Sequence, residues 1–142
     1  MTTKREQILA QVATTLADTA GVSNRVYRSR ATAVARAESP AIIIEPVTNT
    51  VQQITSLPKL DHTLRVRIVV VVRSTTPDTE ADSVMESMHS LLMADLTVGG
   101  LAIDIQPSLT NFDYLDADQP AGVYSNEYNI VYRTSVSDLA VS

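Results

Sequence analysis

The sequence predicts one α+β domain, a sandwich of a mixed, largely antiparallel β-sheet with two amphipathic helices packed on one face. Three observations carry this. Apolar residues recur with helical spacing in two stretches, Ile8 to Ala17 and Ala81 to Leu96. Between and after them lie β-branched runs bounded by Pro, Gly, Asn and Asp. The links between runs are mostly short, and a chain of 142 residues fits one domain with a shared core.

The elements follow in order. Thr3 and Glu6 have the spacing of a capping box, in which each side chain covers an orphan amide of the first helical turn. Ile8, Leu9, Val12, Ala13, Leu16 and Ala17 then form one apolar stripe, and Gly21 stands where a left-handed residue closes the helix. A short strand is expected at Arg25–Arg28, then a loop from Arg30 to Ser39. Pro40 introduces Ala41-Ile42-Ile43-Ile44-Glu45, a strand apolar on both faces that is expected to end at Pro46.

Thr63 to Ser74 is the strongest strand. Leu64, Val66, Ile68, Val70 and Val72 make an unbroken apolar face. The other face, Thr63, Arg65, Arg67, Val69, Val71 and Arg73, is apolar only in its middle, so a helix of the same chain or a neighbouring subunit is expected to cover it halfway. The second helix has Thr76 as its cap, Pro77 at its first position and Asp78 and Glu80 in the first turn. Ala81, Val84, Met85, Met88, Leu91, Leu92 and Leu96 face the core, and Asp82, Glu86, His89 and Ser90 face away. Gly99-Gly100 turns the chain into a strand at Leu101–Gln106, followed by a loop from Pro107 to Gly122. A last strand runs from Val123 to about Thr134, with a short polar tail from about residue 135.

Composition excludes several classes of function. With no cysteine there is no disulfide framework, thiol nucleophile, zinc ribbon or iron–sulfur site. The opening Lys4-Arg5-Glu6 runs straight into an amphipathic pattern rather than a leader. The longest greasy stretch, Val66 to Val72, contains Arg67 and falls well short of the ~20 apolar residues of a membrane span. A soluble chain is expected. Its net charge is −5, made of +5 over residues 1–73 and −10 over residues 74–142. A moderately acidic total does not suit a surface that grips nucleic acid. Opposite-signed regions suit head-to-tail pairing of copies, unless the two halves interleave in the fold and cancel.

No set of residues stands out as catalytic. His62 and His89 are both expected on the solvated surface, and Gly99-Gly100 lacks the Lys-Ser/Thr of a phosphate loop. Asp113, Asp116 and Asp118, with Asn111 nearby, collect oxygen ligands but not with the spacing of a calcium loop, so an exposed acidic loop is expected. Tyr124, Tyr128 and Tyr132 share one strand face with Ile130, either as a seam of the core or as a subunit contact. No enzyme activity, cofactor or metal is expected.

The order of these pieces carries a resemblance. The opening helix is followed by Val26-Tyr27, Ser39-Pro40-Ala41-Ile42-Ile43-Ile44, the strand Thr63–Val72, then Pro77-Asp78-Thr79-Glu80 and Met85-Glu86-Ser87. The ending runs Phe112-Asp113-Tyr114, Asp116, Asp118, Ala121-Gly122, Tyr124-Ser125, Tyr128 and Val131-Tyr132. From about Thr3 to Thr134 this order resembles the tail terminator family of long-tailed phages. The resemblance implies an α/β sandwich that stays monomeric until it meets a finished tail tube, then forms a homohexameric ring on its upper end. That ring stops polymerisation and faces the head–tail connector or neck protein, while DNA passes through the lumen without specific binding. It implies a virion location in the tail–neck region, reached from the host cytoplasm, and no membrane partner. The tail beyond Thr134 and the Arg25–Arg36 segment depart from the pattern.

From this follows an expected subunit interface in which Arg65, Arg67 and Arg73 of one copy face Asp113, Asp116 and Asp118 of the next. The nearest alternative is another neck or head–tail joining component, or a tube-like protein. Alternatives of other classes are a hydrolase or ligand-binding domain using the acidic loop, and a nucleic-acid module built on Arg25, Arg28, Arg30 and Arg36.

Overall fold

A computed structural model describes residues 2–22, 25–28, 39–53, 56, 58–74, 76–115 and 121–140. The first helix, α1, spans Lys4–Leu16. Thr3 caps it by accepting from the Glu6 amide at 3.2 Å. The reciprocal half of the capping box is replaced, because the Glu6 carboxylate forms an ion pair with Arg28 at 2.6 Å. Gly21 is left-handed at φ 89° but lies well past the helix end, so it shapes the following turn instead of closing α1.

Strand β1, Val26–Arg28, runs parallel to β2, Ala41–Gln52. The expected stop at Pro46 is not made. The register against β3, Lys59–Arg73, shifts between Pro46 and Thr48, and pairing then continues to Gln52. The irregularity absorbs the proline, and the partner strand supplies bonds beyond it. Helix α2, Pro77–Met93, begins where the Pro-Asp-Thr-Glu signal places it, although Thr76 makes no side-chain capping bond. Its core face is Ala81, Val84, Met88 and Leu92. Leu96, expected on that stripe, falls beyond the helix end and is 44% exposed.

The largest correction concerns the stretch after Gly100. The strand expected at Leu101–Gln106 starts only at Asp104 and does not stop at Gln106, and residues 116–120 of the expected loop lie outside the described residues. Strand β4 spans Asp104–Leu115 and pairs antiparallel along β5, Ala121–Ser135. The Asp, Asn and Pro residues that suggest a loop sit on an edge strand, where a missing amide costs little, and Pro107 stands at a register shift.

The sheet order is β1-β2-β3-β5-β4, so β5 inserts between β3 and the edge strand β4. Helix α1 lies over β1 and β2, and α2 over β3 and β5, on one face of the sheet. The two-helix α+β domain is as the sequence predicts. The main core joins the α1 and α2 stripes to Leu64, Val66, Ile68, Val70 and Val72 of β3 and to Ile42 and Ile44 of β2. Burying side chains of this size stabilises by about 1.5–3 kcal/mol each. A second, smaller cluster on the opposite face holds Ala41, Ile43, Val69 and Val71, with Tyr27 and Val123 against it. Val69 and Val71 are only 7% and 9% exposed in the single chain. The apolar middle of that flank therefore needs no neighbouring subunit to close it. No helix among the described residues is long and apolar enough to cross a membrane.

Candidate functional site

Of the residues expected at a subunit interface, Arg65, Arg67 and Arg73 do share the sheet face turned away from the helices, as strand alternation requires. Arg65 and Arg67 pair with carboxylates of the same chain. Arg65 Nε lies against Glu127 Oε1, whose residue is 4% exposed, and Arg67 pairs with Glu45 at 3.6 Å. Asp113 lies opposite Val123, which pairs across β5 with Val71, so it is on the same face and near the same end as Arg73. Asp116 and Asp118 lie outside the described residues. Among the described residues no group of three acidic or histidine side chains is placed to hold a metal.

The charge division visible in the sequence is partly cancelled by folding. Arg65 and Arg133, from opposite halves of the chain, pair with Glu127 and Asp61 respectively. The arginines of the nucleic-acid alternative also have structural work. Arg25 donates to the carbonyls of Pro40, Ser39 and Gly21, and Arg28 pairs with Glu6. Arg30 and Arg36 lie outside the described residues.

His62 is not solvated, contrary to expectation. It is 3% exposed and stacks on Tyr132 with ring centroids 4.4 Å apart. A polar chain fixes it. Tyr132 Oη donates to Asn49 Oδ1 at 2.8 Å, and the Asn49 amide nitrogen lies 3.0 Å from His62 Nδ1. His62 Nε2 lies 2.8 Å from Thr134 Oγ1, which donates to the Ser135 carbonyl. Every donor finds an acceptor if the ring is neutral, with Nδ1 accepting and Nε2–H donating. This knot ties β2, β3 and β5 together. Sequence reasoning missed it because Asp61-His62 looks like a polar approach to the strand, when β3 already begins at Lys59.

Burial, with Arg5 adding to it, lowers the His62 pKa below its ordinary 6.5. The unfolded chain therefore binds the extra proton first. The expected result is stability that is level above about pH 6.5 and falls as the pH drops below it. Urea titrations of wild type and His62→Gln at several pH values check this. The gap between the two should narrow as pH falls, and an unchanged gap would contradict the neutral-ring assignment.

The tyrosines form the core seam. Tyr124, Tyr128 and Tyr132 are 1%, 3% and 2% exposed. Burial pushes the Tyr128 hydroxyl up to about 12, so it stays protonated, and it lies 2.9 Å from His89 Nδ1. Tyr124 Oη donates to Asp78 Oδ1 at 2.5 Å, anchoring the start of α2 to β5.

One surface feature has no counterpart in the sequence expectation. Because β4 projects past the cover of α2, the two elements enclose an open groove of about 540 Å³. Its apolar lining includes Met85, Pro107, Leu109 and Phe112, and Asp82 and Glu86 stand at its α2 edge. Phe112 is 61% exposed and Leu109 44%. Phe112 meets Tyr124 edge-on, with centroids 5.9 Å apart. The expected loop from Pro107 to Gly122 takes in both Leu109 and Phe112, and Leu109-Thr110-Asn111-Phe112 does not alternate, so no local pattern signals a groove. Among the described residues, Asp82, Glu86 and His89 make no hydrogen bonds to one another, and the groove presents apolar contact with an acidic margin.

No family model matches the chain, and no curated protein matches it. One solved structure that is similar is a chain of the virion of a native gene transfer agent (GTA) particle. It has a TM-score of 0.47 and 8% identity, covering 87% of this chain and 93% of that one.

Proposed function

We propose that the chain is a structural subunit of a phage-like virion, and specifically a tail terminator. Copies of it form a homohexameric ring on the upper end of the tail tube, end its growth and present a joint to the head–tail connector or neck protein. The structural observation behind this reading is the solvent-facing edge along β4. A long edge strand carrying Leu109 and Phe112 beside an acid-margined groove is a surface for another protein, since an open strand edge and a contiguous apolar patch both favour association. The ordered resemblance from Thr3 to Thr134 says which kind of protein. A net charge of −5 suits a ring through which DNA passes without being held. On this reading the chain works by contact and not by catalysis, with no cofactor, in the tail–neck region of the virion after assembly in the host cytoplasm.

The test is to add the purified chain to tail-tube protein while it polymerises. Elongation should stop, with the final tube length set by the time of addition. Tubes that grow at the control rate would rule out a terminator. Incorporation of the chain along the tube wall would instead support the second reading, a tube-like component, which the long β2–β3 and β4–β5 pairings equally permit.

A further inference from the structure

Resting on that reading, we propose that the α2–β4 groove is the acidic half of the joint between neighbouring copies, and that its occupant is the basic end of the next copy. The two surfaces complement each other in charge and in apolar content. Helix α2 carries Asp78, Glu80, Asp82 and Glu86 and no lysine or arginine, and its groove exposes Leu109 and Phe112. The opposite surface lies where β3 begins and β5 finishes. There Lys4 donates its amide to the Leu139 carbonyl, and the Val136 amide bonds to Pro58. Val51, Val136 and Leu139 are 48%, 45% and 44% exposed at that end, where Asp61 is paired with Arg133 and the charges of Lys4, Arg5 and Lys59 outnumber that of Asp138. Arg5 follows Lys4, whose amide is held by the Leu139 carbonyl, so the first turn of α1 brings its charge to this end.

The groove lies over Asn126, Glu127 and Tyr128 of β5, which pair with Ile68, Arg67 and Val66 in the middle of β3, well away from Lys59 and Ser135. One copy thus holds an acidic apolar surface and a basic apolar surface at separate places on the fold, and not one self-complementary patch. Such a contact is heterologous and generates a ring or a filament. Opposite charges across it steer encounter and fix register, while like charges there oppose it.

A charge exchange tests the occupant directly. Asp82→Lys with Glu86→Lys makes a groove variant, and Arg5→Glu with Lys59→Glu makes an end variant. All four positions are at or near the surface, and circular dichroism and urea titration establish that each variant folds. Rings on tube ends are then counted by electron microscopy, and multimers by cross-linking. Each variant alone should lose at least about tenfold in ring yield. An equimolar mixture should recover it, because every joint in an alternating ring again pairs opposite charges. Phe112→Ser should lower the yield without a rescue by the end variant. Folded variants that form rings alone, or a mixture that fails to recover, would overturn the assignment while leaving the terminator reading in place. A groove variant whose copies still cross-link but no longer reach the tube would assign the groove to the tube protein instead. Wild-type chain that never forms multimers on tubes would remove the proposed function itself.

Discussion

Arg65→Glu is expected to destabilise the folded chain by roughly 3 kcal/mol, before any question of assembly arises. Glu127 is 4% exposed and its carboxylate is matched by Arg65, so reversal places two carboxylates together at a site largely closed to water. Breaking a buried pair in this way generally costs about 3–5 kcal/mol, and the lower end applies because the Arg65 side chain is 42% exposed. Adding Glu127→Gln removes the repulsion and should recover most of the loss in urea denaturation. An Arg65→Glu variant that unfolds at the wild-type midpoint would show that the pair contributes nothing. The consequence reaches function: reversing Arg65 impairs assembly whether or not the arginine lies at a joint. Arg5 and Lys59 are cleaner positions for testing electrostatics between copies.

The second large effect is at Tyr124. Tyr124→Ala is expected to cost about 3–5 kcal/mol, since it empties a fully buried aromatic site. It also removes the hydroxyl that holds Asp78 at the start of α2. Tyr124→Phe should cost less, about 1.5–3 kcal/mol for a bond to a charged acceptor. Gly122 reports on the same packing, because the Tyr124 ring folds back over it. A Cβ added at Gly122 falls 2.6 Å from Tyr124 Cζ and closer still to Oη. Gly122→Ala should therefore cost about 1–3 kcal/mol in the wild type and far less when Tyr124 is alanine. A double-mutant cycle measures that coupling. Additive effects of the two substitutions would contradict the packing described.

The helices and β3 were legible because their signals are local. The Thr3 cap, the Pro77-Asp78 start and the alternation of β3 each specify structure without help from the rest of the chain. The misread segments are those whose state is decided by a partner strand. Pro46 is a stop signal in isolation, but β3 continues beside it. The Asn111-to-Tyr114 stretch is loop-like in composition, but β5 pairs with it along its length. Tertiary pairing overrode local preference in both cases.

The candidate site was less legible for a related reason. A groove between α2 and β4 exists only because β5 inserts between β3 and β4, a feature of strand order that no local pattern encodes. The expected arginine interface rests on charge division and face alternation. Face alternation places Arg65 and Arg67 correctly but is silent on Glu127 and Glu45, which reach them from neighbouring strands. His62 is the same lesson in the core, where a polar residue is made acceptable by Asn49 and Thr134 from strands far away in sequence.

The proposed function stands on surfaces that join copies of one chain, and end-on electron microscopy of tail tubes mixed with the purified protein tests it most directly. It predicts one closed six-fold ring at a single end of each tube, with no further layers at any excess of chain. Bare tube ends, or layer upon layer of added chain, would contradict it.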